Sequence, residues 1–448
     1  MQTHTDKPPQ TTANVELLAA ALGAFDSAPA GANPPWLKSI REQARARASQ
    51  LGFPNTRQEE WRFTNMAPLL QLPLHAAAAN GRGLSARDIA PFRLFADGPC
   101  LVFVDGMFRK DLSALPGNGG ALKIGGLRDQ LAANPRELET DLARHAACDG
   151  NFFTALNTAF FQDGAFIYVP ADATAEEPVQ LLFLASSGRP GATAHPRNLI
   201  LAGKRSGLKV VESYASLTDA AHVTNAVTEL VLGPEARVEH CRLQNENGRA
   251  FHVSTVQAVQ AGGSHWISHS IATGARIARN QVQTLLTAEG AEAVLNGLFL
   301  GRDEQLIDHH TVVDHAGPRC ESHEFFHGIL SGRSHGVFNG KIFVRQDAQK
   351  TNAKQTNRNL VLSDSASIDT KPQLEIFADD VKCTHGATVG QLDQEALFYL
   401  RARGIGANQA RRMLIRAFAS DVVERITMAP ARERLEELLA GRFDGAAI

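Results

Sequence analysis

The sequence predicts a mainly β chain, a long strand-built solenoid held between helical ends. Three observations carry that prediction. From about Phe166, short apolar runs recur between Gly, Asp, Asn and Pro, as in Phe166–Val169, Gln180–Ala185, Leu208–Tyr214, Val227–Leu232 and Gly340–Val344, and helical periodicity is scarce for roughly 200 residues. Strand ends followed by small-residue turns repeat at Leu232, Val259, Leu286 and Val313, 27 residues apart each time. A fixed period of that size is the mark of stacked coils. After about Gln391 the pattern becomes helical again. The leucine-rich horseshoe needs an L-x-x-L-x-L-x-x-N repeat, which is missing. A β-helix or a stacked β-sandwich remains. The run after Leu362, Ser-Asp-Ser-Ala, has the same turn character but falls off the register.

Taken in order, the first ~15 residues read as a polar tail, and Asn14 to about Phe25 as an Ala-rich helix. Pro34-Pro35 opens a second helix that runs to Gly52. Within Pro54–Met66, Trp61 and Phe63 sit among charges, which suits a turn docked on the next domain. CLVFVDGMF, from Cys100, reads as a hairpin turning at Asp105-Gly106. Asp393 can cap a helix that ends at Gly404, and Met413, Leu414, Ala417 and Phe418 mark one face of the next. Pro430 starts a last helix with Leu435, Leu438 and Leu439 inward. The division expected is residues 1–90 as tail and helical region, 91–165 mixed, 166–391 the coil core and 392–448 a C-terminal helical domain.

Composition narrows the function. With 44% hydrophobic and 21% charged residues and net charge −2, the 448-residue chain is an ordinary globular one without a nucleic-acid footprint. No apolar run of about 18 residues predicts a membrane span, and the polar N-terminus carries no secretory signal. Five scattered cysteines fit the reducing cytoplasm better than a disulfide framework. A P-loop, a nucleophile elbow and a dinucleotide fingerprint are all missing, so no nucleotide is expected on this chain.

Cys383 and His385 stand two residues apart in KPQLEIFADDVKCTHGATVG. In a strand, i and i+2 share a face. A thiolate and an imidazole side by side suit iron, zinc or a thiolate-bound intermediate; a buried thiol beside a surface imidazole is the plain alternative. His323-Glu324-Phe325-Phe326-His327 matches H-E-x-x-H, but that zinc-hydrolase chemistry needs a helix. Here flanking glycines and strand-rich surroundings put His323, Phe325 and His327 on one face and Glu324 on the other. Zinc hydrolysis and polysaccharide cleavage by a β-helix are therefore the alternatives. The further histidines 309, 310, 315 and 335, like the amides of Gln349–Asn359, suit hydrogen bonding between stacked coils, and Cys320 a core position. Arg401, Arg403, Arg411, Arg412 and Arg416 read equally as a solvated face or as a partner's docking surface.

VFNGKIFVRQDAQKT at Val337–Thr351 and TKPQLEIFADDVKCTHGATVGQLDQEALFYL at Thr370–Leu400, continuing into RARGIGANQARRMLIRAF, together with PNTRQEEWRFTN near the start, resemble the SufB/SufD family of the SUF iron–sulfur assembly system, SufD-type members most. The resemblance implies a right-handed parallel β-helix and a non-catalytic cytoplasmic subunit that pairs with SufB. It implies C-terminal helices, with the five arginines, that bind the ATPase SufC, so that truncation after Asp393 should abolish that contact. It also implies cluster assembly, from iron and sulfide precursors, at the SufB–SufD interface, with His385 the first and Cys383 the second expected ligand. A homodimer is expected in isolation. Since both ligands bind iron only when deprotonated, assembly should weaken as pH falls toward the ordinary histidine pKa of about 6.5.

Overall fold

The computed structural model describes residues 19–20, 22–26, 33–77, 83–115 and 122–444. The expected tail and the start of the first expected helix lie outside them; residues 19–20 and 22–26 are helical. Helix α1 (Pro35–Leu51) begins on its proline and ends at Gly52, whose φ of 69° only a residue without Cβ adopts freely. Cys100–Val104 and Met107–Phe108 form the expected hairpin, with Asp105 at φ 50° and Gly106 at φ 81° in its two-residue turn.

The body is a parallel solenoid of about 8 turns. Each coil gives one strand to each of two sheets. One sheet holds β1 (Ala165–Val169), β3 (Arg197–Ala202), β5 (His222–Leu232), β7 (Phe251–Gln260), β9 (Ile277–Leu286), β11 (Leu306–His315), β13 (His335–Val344) and β15 (Ser367–Ile376). The other holds β2 (Val179–Ala185), β4 (Gly207–Ser216), β6 (Arg237–Asn245), β8 (His265–Ala272), β10 (Glu292–Gly301), β12 (Glu321–Leu330), β14 (Asn352–Val361) and β16 (Lys382–Gly390). The two open readings of the repeat thus meet in one object, a coil flattened into facing sheets.

Coil length is not constant. Phe251 pairs with Ile277, 26 residues on, whereas His335 pairs with Ser367, 32 on. The regular spacing at Leu232, Val259, Leu286 and Val313 marks the ends of odd-numbered strands only. Leu362 breaks that register because it follows β14, in the other sheet.

Alternate residues of every strand face the lumen, where Leu208, Val210, Leu230, Val256, Trp266, Val282, Leu295 and Phe338 form one continuous apolar column. Each buried aliphatic or aromatic side chain there contributes about 1.5–3 kcal/mol. Phe103, Phe183 and Tyr214 stack in register, centroids 4.7 and 4.8 Å apart. The outer faces are covered too, which explains why the strands read as apolar runs rather than clean alternation. Helix α2 (Phe152–Phe160) and the Trp61 segment cover the odd sheet: Trp61 lies 5.5 Å from Phe153, beneath the Arg279 guanidinium at 3.9 Å. The predicted docking turn is therefore present.

At the other end follow α3 (Gln394–Ala402), α4 (Ala407–Val423) and α5 (Ala429–Asp444). The Asp393 carboxylate caps α3 through the backbone N–H groups of Glu395 and Ala396. In α4 the expected inward face is corrected. Ala410, Ile415, Ala419, Val422 and Val423 are buried, Met413 is 44% exposed, and Leu414 and Phe418 only flank the contact. The helix offers two apolar stripes, and the outer wall of the even sheet, with Leu298, Ile329 and Leu360, selects one. In α5, Leu435 and Leu439 are buried as expected.

Candidate functional site

The two ends of the solenoid differ. At the first end the hairpin strand Cys100–Val104 extends the even sheet, and Lys123–Gly126 pairs antiparallel with β1 to close the odd sheet. At the last end β15 and β16 are both terminal in their sheets. Their outer backbone edges therefore face solvent, a template for strand addition. Around them Ile376, Phe377 and Val389 are 39%, 59% and 54% exposed.

Cys383 and His385 lie in β16. Their register partners are Ala353 and Gln355, both buried in the lumen, so both side chains belong to the inward-facing row of the final coil. No further coil covers that row. Cys383 keeps part of its surface against Ile342, Val344 and Ala353. Burial raises its thiol pKa, opposed by a backbone hydrogen bond at Ala353. His385 is exposed. Two residues along a strand put these groups roughly 7 Å apart, close enough to hold neighbouring atoms of one small inorganic assembly. Among the described residues no group of three or more His, Cys, Asp or Glu lies together as a metal site. A metal bound at this edge would therefore need ligands from another molecule.

The histidine-rich stretch does structural work inside and around the coils. HEFFH lies in β12, with Glu324 and Phe326 in the lumen and His327 outward, stacked on Phe418 at 4.4 Å with Nδ1 2.9 Å from its carbonyl oxygen. A zinc-hydrolase pair on one helical face is ruled out by that strand. His309 reaches Ser270 at 3.1 Å, His315 Ser322 at 2.9 Å, and His335 Ser367 at 2.7 Å. The amide block likewise bonds between coils, Asn357 Nδ2 to the Phe326 carbonyl and Asn359 Nδ2 to that of Thr388.

Glu324 is the unusual member. Thr311 Oγ1 donates to its carboxylate at 2.5 Å and Gln355 Nε2 at 3.2 Å, yet burial outweighs both bonds and pushes the pKa up to about 7. The folded protein thus holds a proton that the unfolded chain releases near 4.5. Stability from this group is full below that pH and is lost as pH rises to about 7. Glu324→Gln should remove the dependence, gaining on the order of 3 kcal/mol over wild type between pH 5 and pH 8. Denaturant unfolding of both proteins at the two pH values checks this; parallel pH curves would refute it.

Of the candidate docking arginines, Arg401, Arg403 and Arg416 are exposed, Arg403 over the Tyr399 ring at 4.6 Å, whereas Arg411 and Arg412 are half-buried. The sequence reading overlooked what lies among them. Phe398 and Tyr399 are 72% and 56% exposed on α3. Adjacent aromatics on a short helix point in different directions, so one buried face cannot take both; that was the available signal.

Two family models match this chain: SufBD protein N-terminal region over residues 30–181, and SUF system FeS cluster assembly, SufBD core domain, over residues 183–418. An iron–sulfur cluster assembly SufBD family protein of Synechocystis sp. is 33% identical over 98% of this chain and 97% of its own length. The iron–sulfur cluster assembly protein SufD of Escherichia coli is 31% identical, with 90% and 93% covered, and that of Bacillus subtilis 29%, with 91% and 94% covered. No described helix is long and apolar enough to cross a membrane.

Proposed function

The chain belongs to the SufBD family of iron–sulfur cluster assembly proteins, and from that membership we propose that it is the non-catalytic, SufD-type subunit of a cytoplasmic assembly complex. One observation carries the reading: the uncapped last coil presents Cys383 and His385 beside two unpaired strand edges. A SufB-type chain adds its own edge there and completes a ligand set of which this chain supplies part. Iron and sulfide are the cargo of the interface, held while a cluster forms. In isolation a second copy of the chain occupies the same edges. A SufC-type ATPase docks on the C-terminal helices, where Phe398, Tyr399 and Met413 stand exposed among arginines, and supplies the nucleotide chemistry this chain lacks.

Co-expression with SufB-type and SufC-type partners tests the assignment, and the fold changes how docking is tested. Truncation after Asp393 would strip Ile415, Val422 and Leu435 from the even sheet and expose Leu298 and Ile329, so it reports on folding as well as on docking. Phe398→Ser with Tyr399→Ser leaves that core intact. Removing an interface aromatic of this kind costs about 2 kcal/mol or more, roughly thirtyfold in affinity. The double variant should lose the ATPase on co-purification while keeping the SufB-type partner and its unfolding midpoint. Retention of the ATPase at wild-type stoichiometry would sink the docking site.

A further inference from the structure

Inside the even sheet Leu295, Glu324, Gln355 and His385 form one register column, each pairing with the next. Successive members of such a column on paired strands lie roughly 4.8 Å apart, within side-chain reach. Glu324 and Gln355 are 2% exposed, and the Gln355 amide donates through Nε2 to Glu324 Oε1 at 3.2 Å. A carboxylate only accepts, so the nitrogen end of the amide must face the preceding coil and its oxygen end is turned away from it. Thr311 fixes the other carboxylate oxygen, so the Glu324 anchor does not swing. Across the lumen Gly340 leaves room for the amide: a Cβ there would stand 2.3 Å from Gln355 Nε2. The buried Gln355 Oε1 has no hydrogen-bond partner. A buried acceptor left unpaired costs about 1–3 kcal/mol. The next residue of the column is His385.

Resting on the reading of His385 as a ligand, we infer that Gln355 is its positioning residue: Gln355 Oε1 accepts the N–H of one imidazole nitrogen and leaves the lone pair of the other facing outward, toward iron. Metal-binding imidazoles almost always give their second N–H to a carbonyl or carboxylate oxygen, which fixes tautomer and ring angle and makes the ligand nitrogen more basic. The column supplies such an oxygen, buried, oriented from behind by Glu324 and unused within the subunit. His385 is exposed, so it can turn onto that oxygen when a partner closes over the coil.

The test is anaerobic titration with ferrous iron alone of the full-length chain co-purified with its SufB-type partner. Gln355→Leu should weaken binding about 10–100-fold, and the exchange variant Glu324→Gln/Gln355→Glu should restore it to within about threefold of wild type. In the exchange variant the amide at 324 donates to the carboxylate at 355, and an acceptor still faces His385. A role confined to packing would give no such rescue. If His385→Ala abolishes binding while Gln355→Leu binds as wild type does, this inference alone fails. If His385→Ala binds as wild type does, the ligand reading falls and this inference with it. Should Gln355→Leu not fold, 15N-histidine NMR of the wild-type complex with zinc as probe decides. A His385 with one nitrogen metal-bound and a protected N–H on the other supports the inference; an N–H exchanging at the solvent rate overturns it.

Discussion

His385→Ala leaves the assembled complex intact and removes most of its iron and acid-labile sulfide. The side chain is exposed on the terminal strand, so shortening it opens no cavity and costs the fold little, within about 0.5 kcal/mol for a surface change of this sort. The chemistry has no such tolerance. This chain brings two candidate ligands to the open end, and losing the imidazole leaves a single thiol whose raised pKa already disfavours the thiolate. Iron and sulfide per complex should fall by an order of magnitude or more, since even outer-shell changes at metal sites cost about 10–100-fold. Cys383→Ser should fall in the same direction. Quantifying both elements in complexes purified without oxygen checks the result. Unchanged iron and sulfide in His385→Ala would place the cluster on the partner alone.

The second large effect concerns stability. Arg197 and Glu229 are fully buried and paired, Nη2 to Oε2 at 2.8 Å, between the odd sheet and α2. Arg197 also donates to Thr158 Oγ1 at 2.9 Å. Glu229 collects the backbone N–H groups of Ala143, His145 and Ala146 at 2.7, 2.8 and 2.9 Å, pinning the segment before α2 onto the solenoid. Arg197→Met strands a buried carboxylate, which costs about 3–5 kcal/mol. Adding Glu229→Gln should recover part of the loss, since the uncompensated charge is then gone. Urea unfolding of the single and double variants measures it; a loss under about 1 kcal/mol in Arg197→Met would show that the pair is not under desolvation stress.

The architecture was legible in the sequence because its signals are local. Turn residues after each strand, the Asp105-Gly106 hairpin, the Pro34-Pro35 helix start and the Asp393 cap all act within a few positions. Coil length was less legible, because β5, β7, β9 and β11 happen to end at near-regular intervals while the intervening even strands do not. The inward face of α4 escaped because Met413 and Ile415 are comparably apolar, and only the wall formed by Ile329 and Leu360 chooses between them. Cys383 and His385 could be read as sharing a face, but the openness of that face depends on β16 being last in its sheet. The Glu324–Gln355 column was invisible for a similar reason. Its members stand 31 and 30 residues apart and meet only through register.

A stack of coils behaves as a one-dimensional array in which each unit is steadied by its neighbours. Interior coils have two; the final one, β15 with β16, has one. Its opening costs a single interface, so it is the first part of the solenoid to fray. A docking partner supplies the missing neighbour and, in the same event, the order that two ligands on one short strand require. Cluster chemistry is thereby gated by cooperativity. An unpaired subunit offers iron a loosely held edge, and only the completed array offers it a fixed geometry.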